Sequence, residues 1–276
     1  MKKHLDFLGS EAENKDRDRV YVIPVPVEWS TSYLSGTARA PGAILEASRQ
    51  IEFYNPALDL DLERSGIVTL DPGIEDKDGL CDFIGHNRAM LLSAFSCFIG
   101  GEHSITPWIL DSLGFDDIGI VWLDAHADMR ESYLGERESH ACAARNSLPF
   151  GAMVEIGVRS YSKEESEFLN GNNGVSVFGR WSAGAREAVK ALPDRIYLSL
   201  DYDALDPSLI RAVGTPEPDG LDWNELIEIL TFVIGEKKVV AMDAVELCPV
   251  EGDEVSNFLA AKIIYEAISR CLKKED

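Results

Sequence analysis

Eight short apolar runs, most of them without polar alternation, constrain what this chain can fold into more than any other feature. They are Val20–Val25, Gly66–Leu70, Ala94–Ile99, Ile118–Leu123, Met153–Ile156, Val175–Phe178, Arg195–Leu200 and Val239–Asp243. Continuous apolar strands of this length suit a parallel sheet covered on both faces. Helix-like periods lie between several of them, at Gly42–Ile51, Cys81–Ser93, Glu164–Leu169 and Leu221–Gly235, and a long one closes the chain at Val255–Leu272. Alternating strands and helices imply a doubly wound α/β fold. With no internal repeat or linker in view, residues 19–276 read as a single domain behind a polar N-terminal arm, residues 1–18.

Two of these runs end in acids. Asp124-Ala-His126-Ala-Asp128 follows Ile118–Leu123, and Asp201-Tyr-Asp203 follows Ile196–Leu200. Residues two apart in an extended segment share a face, so the acids within each group converge. Four carboxylates and an imidazole in an apolar setting are costly unless cations neutralise them. A metal centre, most simply a binuclear one, accounts for the cost being tolerated. Two further polar groups, Gly100-Gly-Glu-His103-Ser and Asp243-Ala-Val-Glu246, also sit at the carboxyl ends of strands, where open α/β sheets bind their ligands. Carboxylates and imidazoles without thiolates favour manganese or a similarly hard ion. Two such ions about 3.5–4 Å apart lower the pKa of a shared water, and the chemistry implied is hydrolysis.

Composition closes off other classes. The 48 Asp and Glu against 26 Lys and Arg give a formal net charge of −22, which argues against a nucleic-acid partner and mildly favours a cationic ligand. Five widely spaced cysteines contain no CxxC pair, which speaks against a zinc ribbon or a disulfide framework. The N-terminus lacks the apolar core of a signal peptide, and no apolar stretch approaches a membrane span. A reduced, cytoplasmic location is therefore expected, with no membrane partner. The chain contains no GxGxxG, no GxxxxGK[ST] and no GxSxG.

Gly100–Ser104 (GGEHS), Asp124–Asp128 (DAHAD), Ser199–Ser208 (SLDYDALDPS), Gly214–Pro218 (GTPEP) and Asp243–Pro249 (DAVELCP) occur in that order. In this the chain resembles the arginase/agmatinase ureohydrolases, from about Val20 to the C-terminus and most closely in the agmatinase branch. The resemblance implies a three-layer α/β/α fold with an eight-stranded, mostly parallel sheet. It also implies two Mn2+ ions, a small cationic guanidino substrate, and hydrolysis releasing urea and an amine. His103, Asp124, Asp128 and Asp201 are then the expected ligands of one ion, and Asp124, His126, Asp201 and Asp203 those of the other. His140 corresponds to the family's proton-shuttle histidine and Glu246 to the carboxylate that pairs with the guanidinium. Relatives assemble as trimers or hexamers, so a homo-oligomer is implied.

The substrate tail is less constrained. Arginases carry a stretch like SGNLHG before the shuttle histidine, whereas this chain reads Leu134-Gly-Glu136-Arg-Glu138-Ser-His140. Two acids there disfavour the α-carboxylate of arginine and favour agmatine, hydrolysed to putrescine, or aminopropylagmatine. Relatives have Pro, Thr and Gly where this chain has Arg211, Val213 and Asp219. Arg211 is a candidate contact for a carboxylate tail such as guanidinobutyrate, and Asp219 or the Glu136/Glu138 pair for an amine. Formiminoglutamate hydrolysis, single-zinc deacylation and a non-catalytic metal-binding role are the alternatives. Glu102 reads as loop support, not as a ligand.

Overall fold

The computed structural model describes residues 5–9, 20–63 and 65–275. Eight strands form one sheet: β1 (Val20–Val25), β4 (Ile67–Thr69), β5 (Phe95–Gly100), β6 (Gly119–Leu123), β7 (Met153–Ile156), β8 (Val175–Phe178), β9 (Arg195–Asp201) and β10 (Lys238–Val245). Their spatial order is β4-β1-β5-β10-β9-β6-β7-β8, and every adjacent pair is parallel. A two-stranded antiparallel ribbon, β2 (Tyr54–Asn55) with β3 (Leu60–Asp61), lies outside the sheet. The expected strands match these eight to within two residues at each end.

Strand residues alternate between two cores, because successive side chains leave opposite faces of a pleat. Val20 and Val22 of β1, Val121 and Leu123 of β6, and Leu198 and Leu200 of β9 pack into one core. Helices α1 (Ala40–Ser48), α6 (Ala183–Ala191), α7 (Trp223–Glu236) and α8 (Glu254–Glu275) contribute to it, through Ile44, Val189, Ile229 and Ile264 for example. Tyr21, Ile23, Phe98, Ile120, Trp122 and Tyr197 face the other core, which α2 (Lys77–Leu91), α3 (Ile105–Ser112), α4 (Ala143–Ser147) and α5 (Lys163–Gly171) cover. The result is the three-layer α/β/α arrangement that the strand pattern implied.

The helices that the sequence pattern does not reveal have a physical reason for being silent. All six residues from Ile105 to Leu110 of α3 are buried, so no polar face marks its period. Helix α6 buries only Ala185 and Val189 and carries little apolar signal. Where boundaries were legible, local chemistry sets them. The Ser162/Glu165 and Asp222/Glu225 capping boxes start α5 and α7, and the Asp76 carboxylate accepts the Gly79 N–H at the start of α2.

Part of the stretch read as a polar arm is packed. Phe7 and Leu8 are buried, the Phe7 N–H donates to Thr69 Oγ1 (2.8 Å) and the Leu8 N–H to Ser48 Oγ (2.9 Å). Residues 1–4 and 10–18 of that stretch lie outside the described residues.

Gly101 fixes the exit from β5. A Cβ there would stand 1.9 Å from the Val27 carbonyl oxygen, and that backbone is itself held, since Glu102 N–H donates to Val27 O (2.9 Å). We expect Gly101→Ala to destabilise the protein by roughly 3 kcal/mol, because backbone cannot yield as a side chain does. Thermal melting would then fall by about 6–12 °C; a melting point unchanged within about 2 °C would refute the close-approach argument.

Candidate active site

Four strands near the middle of the sheet, β5, β10, β9 and β6, deliver the polar groups to one rim. His103 follows β5, Asp124, His126 and Asp128 follow β6, Asp201 ends β9 with Asp203 in the turn after it, and Glu246 follows β10. His103 Nδ1 lies 3.1 Å from Asp124 Oδ2, 3.2 Å from Asp201 Oδ2 and 3.5 Å from Asp128 Oδ2. His126 Nδ1 lies 2.9 Å from Asp203 Oδ2 and 3.7 Å from Asp124 Oδ1. Ligand-competent atoms thus gather in two groups that share Asp124: His103, Asp124 and Asp128, and Asp124, His126 and Asp203.

His103 supplies a test of whether these residues suit a metal. Its Nδ1 is buried among three carboxylates yet is in hydrogen-bonding geometry with none of them. Its other nitrogen, Nε2, meets Ser199 Oγ at 2.8 Å, and Ser199 Oγ donates to Asp243 Oδ1 (2.7 Å). Tyr197 OH and Thr106 Oγ1 both donate to Asp243 Oδ2, each at 2.7 Å. Since the serine proton is committed to Asp243, Ser199 accepts from Nε2–H, and the Nδ1 lone pair is left aimed at the carboxylates. That is the ligating tautomer with its outer hydrogen bond in place.

Charge tells the same story. Burial alone would lower the pKa of His103, but Asp124, Asp128 and Asp243 outweigh it and raise it to about 9. His126 is likewise raised to about 12, against burial, by Asp203 and Asp124. Burial would raise Asp124, yet the adjoining His103 and His126 imidazoles hold it below the usual carboxylate range. Asp128 and Asp201 go the other way: burial first, then neighbouring aspartates, push them well above that range. Two imidazoles cannot neutralise four buried aspartates, a deficit that divalent cations of the hardness carboxylate–imidazole sites hold would meet. The donor set fits a binuclear metal centre.

Backbone donors hold the acids in place. Asp124 Oδ1 accepts from His126 N–H (2.7 Å), Asp201 Oδ1 from Asp203 N–H (2.7 Å) and Asp203 Oδ1 from Ala125 N–H (3.0 Å). Trp122 Nε1 donates to Asp124 Oδ2 (3.0 Å), and its ring stacks on His103 at a centroid distance of 4.1 Å. Asp128 (φ 49°) and Glu246 (φ 65°) both occupy the left-handed region, an uncommon backbone for such residues that is tolerated where function fixes a side chain. Arg159 braces the rim by donating to the carbonyls of Gly157, Asp203, Glu217 and Pro218.

A cavity of about 300 Å³ opens over these groups. Glu246 lines it, accepts His103 N–H at Oε1 (2.7 Å), and is raised to about 8 by burial and then by Glu102. His140 lines it too, with Nδ1 3.1 Å from Ser30 Oγ and Tyr133 edge-on to its ring. Exposed Tyr33, Leu34 and Tyr161 form the mouth. Arg130 is the only Lys or Arg on the wall among the described residues; it lies over the Tyr133 ring and 3.8 Å from Glu165.

The four residues expected to read the substrate tail do not converge there. Arg211 pairs with Asp253 (3.0 Å), Asp219 with Arg180 and Glu138 with Lys77, while Glu136 is exposed. None lines the cavity. Each side chain is satisfied by a local partner, or by solvent for Glu136, which sequence spacing does not reveal. Conversely, Arg130 and the Ser30–Leu34 segment line or border the site without belonging to any of the sequence motifs. The usable signal was position, because 30–34 follows the carboxyl end of β1 as GGEHS follows β5. Glu102 does support its loop, accepting from Trp29 N–H, Ser30 N–H, Ser30 Oγ and Ser104 Oγ.

Known proteins resemble this chain over most of its length. An N(1)-aminopropylagmatine ureohydrolase of Thermus thermophilus is 35% identical, over 94% of this chain and 92% of the relative. The agmatinase of Pyrococcus horikoshii is 35% identical over 92% of each. The crystal structure of agmatine ureohydrolase of Thermoplasma volcanium superposes with a TM-score of 0.86 at 30% identity, covering 99% of this chain and 96% of that one. Residues 18–269 match the model of the arginase family, and the chain belongs to that family.

Proposed function

We propose that this chain is a binuclear manganese hydrolase that releases urea from a guanidino compound with an amine tail, agmatine or its aminopropyl derivative. The observation that carries the reading is the pairing of a buried, cation-deficient carboxylate cluster with an acid, Glu246, on the wall of the same cavity. The two relatives and the solved structure named above are an aminopropylagmatine ureohydrolase, an agmatinase and an agmatine ureohydrolase. In this reading His103, Asp124, Asp128 and Asp201 hold one ion, and Asp124, His126, Asp201 and Asp203 the other. Bound there, the two ions supply a water of lowered pKa and charge for the transition state.

The side chains do the rest. Burial raises Glu246 because its charge lacks a partner, and a planar guanidinium provides one through paired N–H donors. The head group is thereby held against the metal cluster with its central carbon exposed to water. His140 Nδ1 is engaged by Ser30, leaving Nε2, across the ring, as the nitrogen that exchanges a proton. Water adds its oxygen to the guanidinium carbon and gives up a proton to Nε2. The C–N bond to the tail then breaks as the same proton goes to the departing nitrogen, and the proton left on the added hydroxyl follows it, so the cationic substrate and water become neutral urea and an ammonium. The mouth formed by Tyr33, Leu34 and Tyr161 suits the methylene chain, and its rings suit an ammonium.

Arg130 favours a second reading for the tail. As the single Lys or Arg on the described wall, with its nearest acid at 3.8 Å, it suits a carboxylate, as in guanidinobutyrate.

Urea release by the manganese-loaded protein on agmatine, aminopropylagmatine, guanidinobutyrate and arginine tests both. We expect urea from the first two, lost on chelation and restored by Mn2+. Urea from guanidinobutyrate alone, abolished by Arg130→Ala, would move the assignment to the acid tail. Formamide or acetate release, or metal binding without turnover, would displace the ureohydrolase reading. Replacing Glu246 by Gln keeps the shape but removes the charge, so kcat/KM should fall at least roughly 30-fold. His126→Ala should lower bound manganese from two ions per chain to about one, by elemental analysis; two retained ions would refute the ligand assignment.

A further inference from the structure

One part-buried chain of hydrogen bonds runs from His140 away from the cavity. His140 Nδ1 lies 3.1 Å from Ser30 Oγ, and Ser30 Oγ lies 2.7 Å from Glu102 Oε1. The His140 backbone N–H also donates to Ser30 Oγ (3.0 Å). Glu102 is fully buried and accepts four hydrogen bonds: from Trp29 N–H and Ser30 N–H on Oε2, both at 2.8 Å, and from Ser30 and Ser104 hydroxyls on Oε1, both at 2.7 Å. Ser104 Oγ in turn meets Trp29 Nε1 at 3.2 Å. Ser139 Oγ makes a longer contact, 3.3 Å, with His140 Nδ1.

Valence determines the direction of this chain. A serine hydroxyl has one proton and two lone pairs. The short contact to Glu102 takes the proton of Ser30, and the His140 backbone N–H takes one lone pair. The remaining lone pair can only accept, so Nδ1 must bring the hydrogen. We infer that Ser30 and Glu102 are positioning residues that lock His140 as the Nδ1–H tautomer and leave the Nε2 lone pair for the reaction. The inference rests on the proton-carrying role proposed for His140. It parallels the arrangement at His103, where Ser199 carries the link to Asp243.

The lock has a specific consequence. A neutral histidine with Nε2 free accepts the proton that water releases as the C–O bond forms. With both nitrogens protonated, Nε2–H faces the departing nitrogen, while Nδ1–H stays on Ser30. Without Ser30, the ring can hold its proton on Nε2, where it can accept nothing. Protonation of the leaving nitrogen is the step at stake, so the penalty depends on how basic that nitrogen is.

Two measurements test this. In the Mg2+-loaded protein, which is diamagnetic, 15N shifts of labelled histidine report the tautomer, and His140→Asn identifies the His140 signals among the five histidines of the chain. Wild type should show Nδ1–H, and Ser30→Ala should move the population towards Nε2–H. An Nε2–H ring in wild type, or an unchanged tautomer in Ser30→Ala, overturns the inference whatever the substrate proves to be.

The second measurement compares urea release, with manganese, from agmatine and from its guanidinooxy analogue, whose leaving group is a far weaker base. Ser30→Ala should lower kcat on agmatine by about 10–100-fold with KM held within roughly twofold, and the analogue should lose less than about threefold. Ser30→Thr, which keeps the hydroxyl, should recover most of the loss. Equal losses on both substrates would make Ser30 merely structural and overturn the inference. An inactive wild type that still shows the Nδ1–H signature, lost in Ser30→Ala, would sink the ureohydrolase reading and leave the lock standing.

Discussion

Four aspartates buried beside two histidines at the ends of β5, β6 and β9 form the constraint from which the rest of the structure follows. Carboxylates at these distances repel each other in a medium that screens weakly, and charged carboxylates so placed call for cations among them. The fold answers by restraining most of these acids and His103 with its own groups. Backbone N–H groups restrain Asp124, Asp201 and Asp203, Trp122 stacks on His103, and Ser199 ties His103 to Asp243. Preorganisation of this kind lets metal binding proceed without reordering the chain.

Much of this was legible before any coordinates, and the reason is geometric. An apolar run names a strand, its last residue names the rim, and residues two apart share a face. Those facts direct Asp124, His126, Asp128, Asp201 and Asp203 to one rim, although Asp203 lies in a 3-10 turn and Asp128 in left-handed backbone where extended chain was expected. His103 and Glu246 needed only the added fact that β5, β10, β9 and β6 lie side by side in that order. Helices α3 and α6 were not legible, because one is buried all round and the other is nearly bare of large apolar side chains.

The residues nominated for the substrate tail teach the opposite lesson. Arg211 and Asp219 stood out as unusual charges near site motifs, but an exposed charge takes the nearest opposite partner, and both found one outside the cavity. Pair formation on a surface is decided by loop conformation, which short-range pattern does not encode. Ser30 and Ser199 were silent for a related reason. A serine carries no charge or periodic signal, and its importance lies in being placed between an imidazole and a carboxylate.

Arg159 divides the rim into two halves of unequal freedom. By joining the Asp203, Glu217 and Pro218 carbonyls through one guanidinium, it welds the loop carrying Gly214–Pro218 to the metal-facing end of β9. Any drift of that loop would drag Asp203 with it, so a change there would be felt at the candidate metal ligands. The opposite border, built from Tyr33, Leu34 and Tyr161, is exposed and carries no such weld among the hydrogen bonds described. A lineage exploring new guanidino compounds can therefore rewrite the aromatic border while the welded one stays as it was.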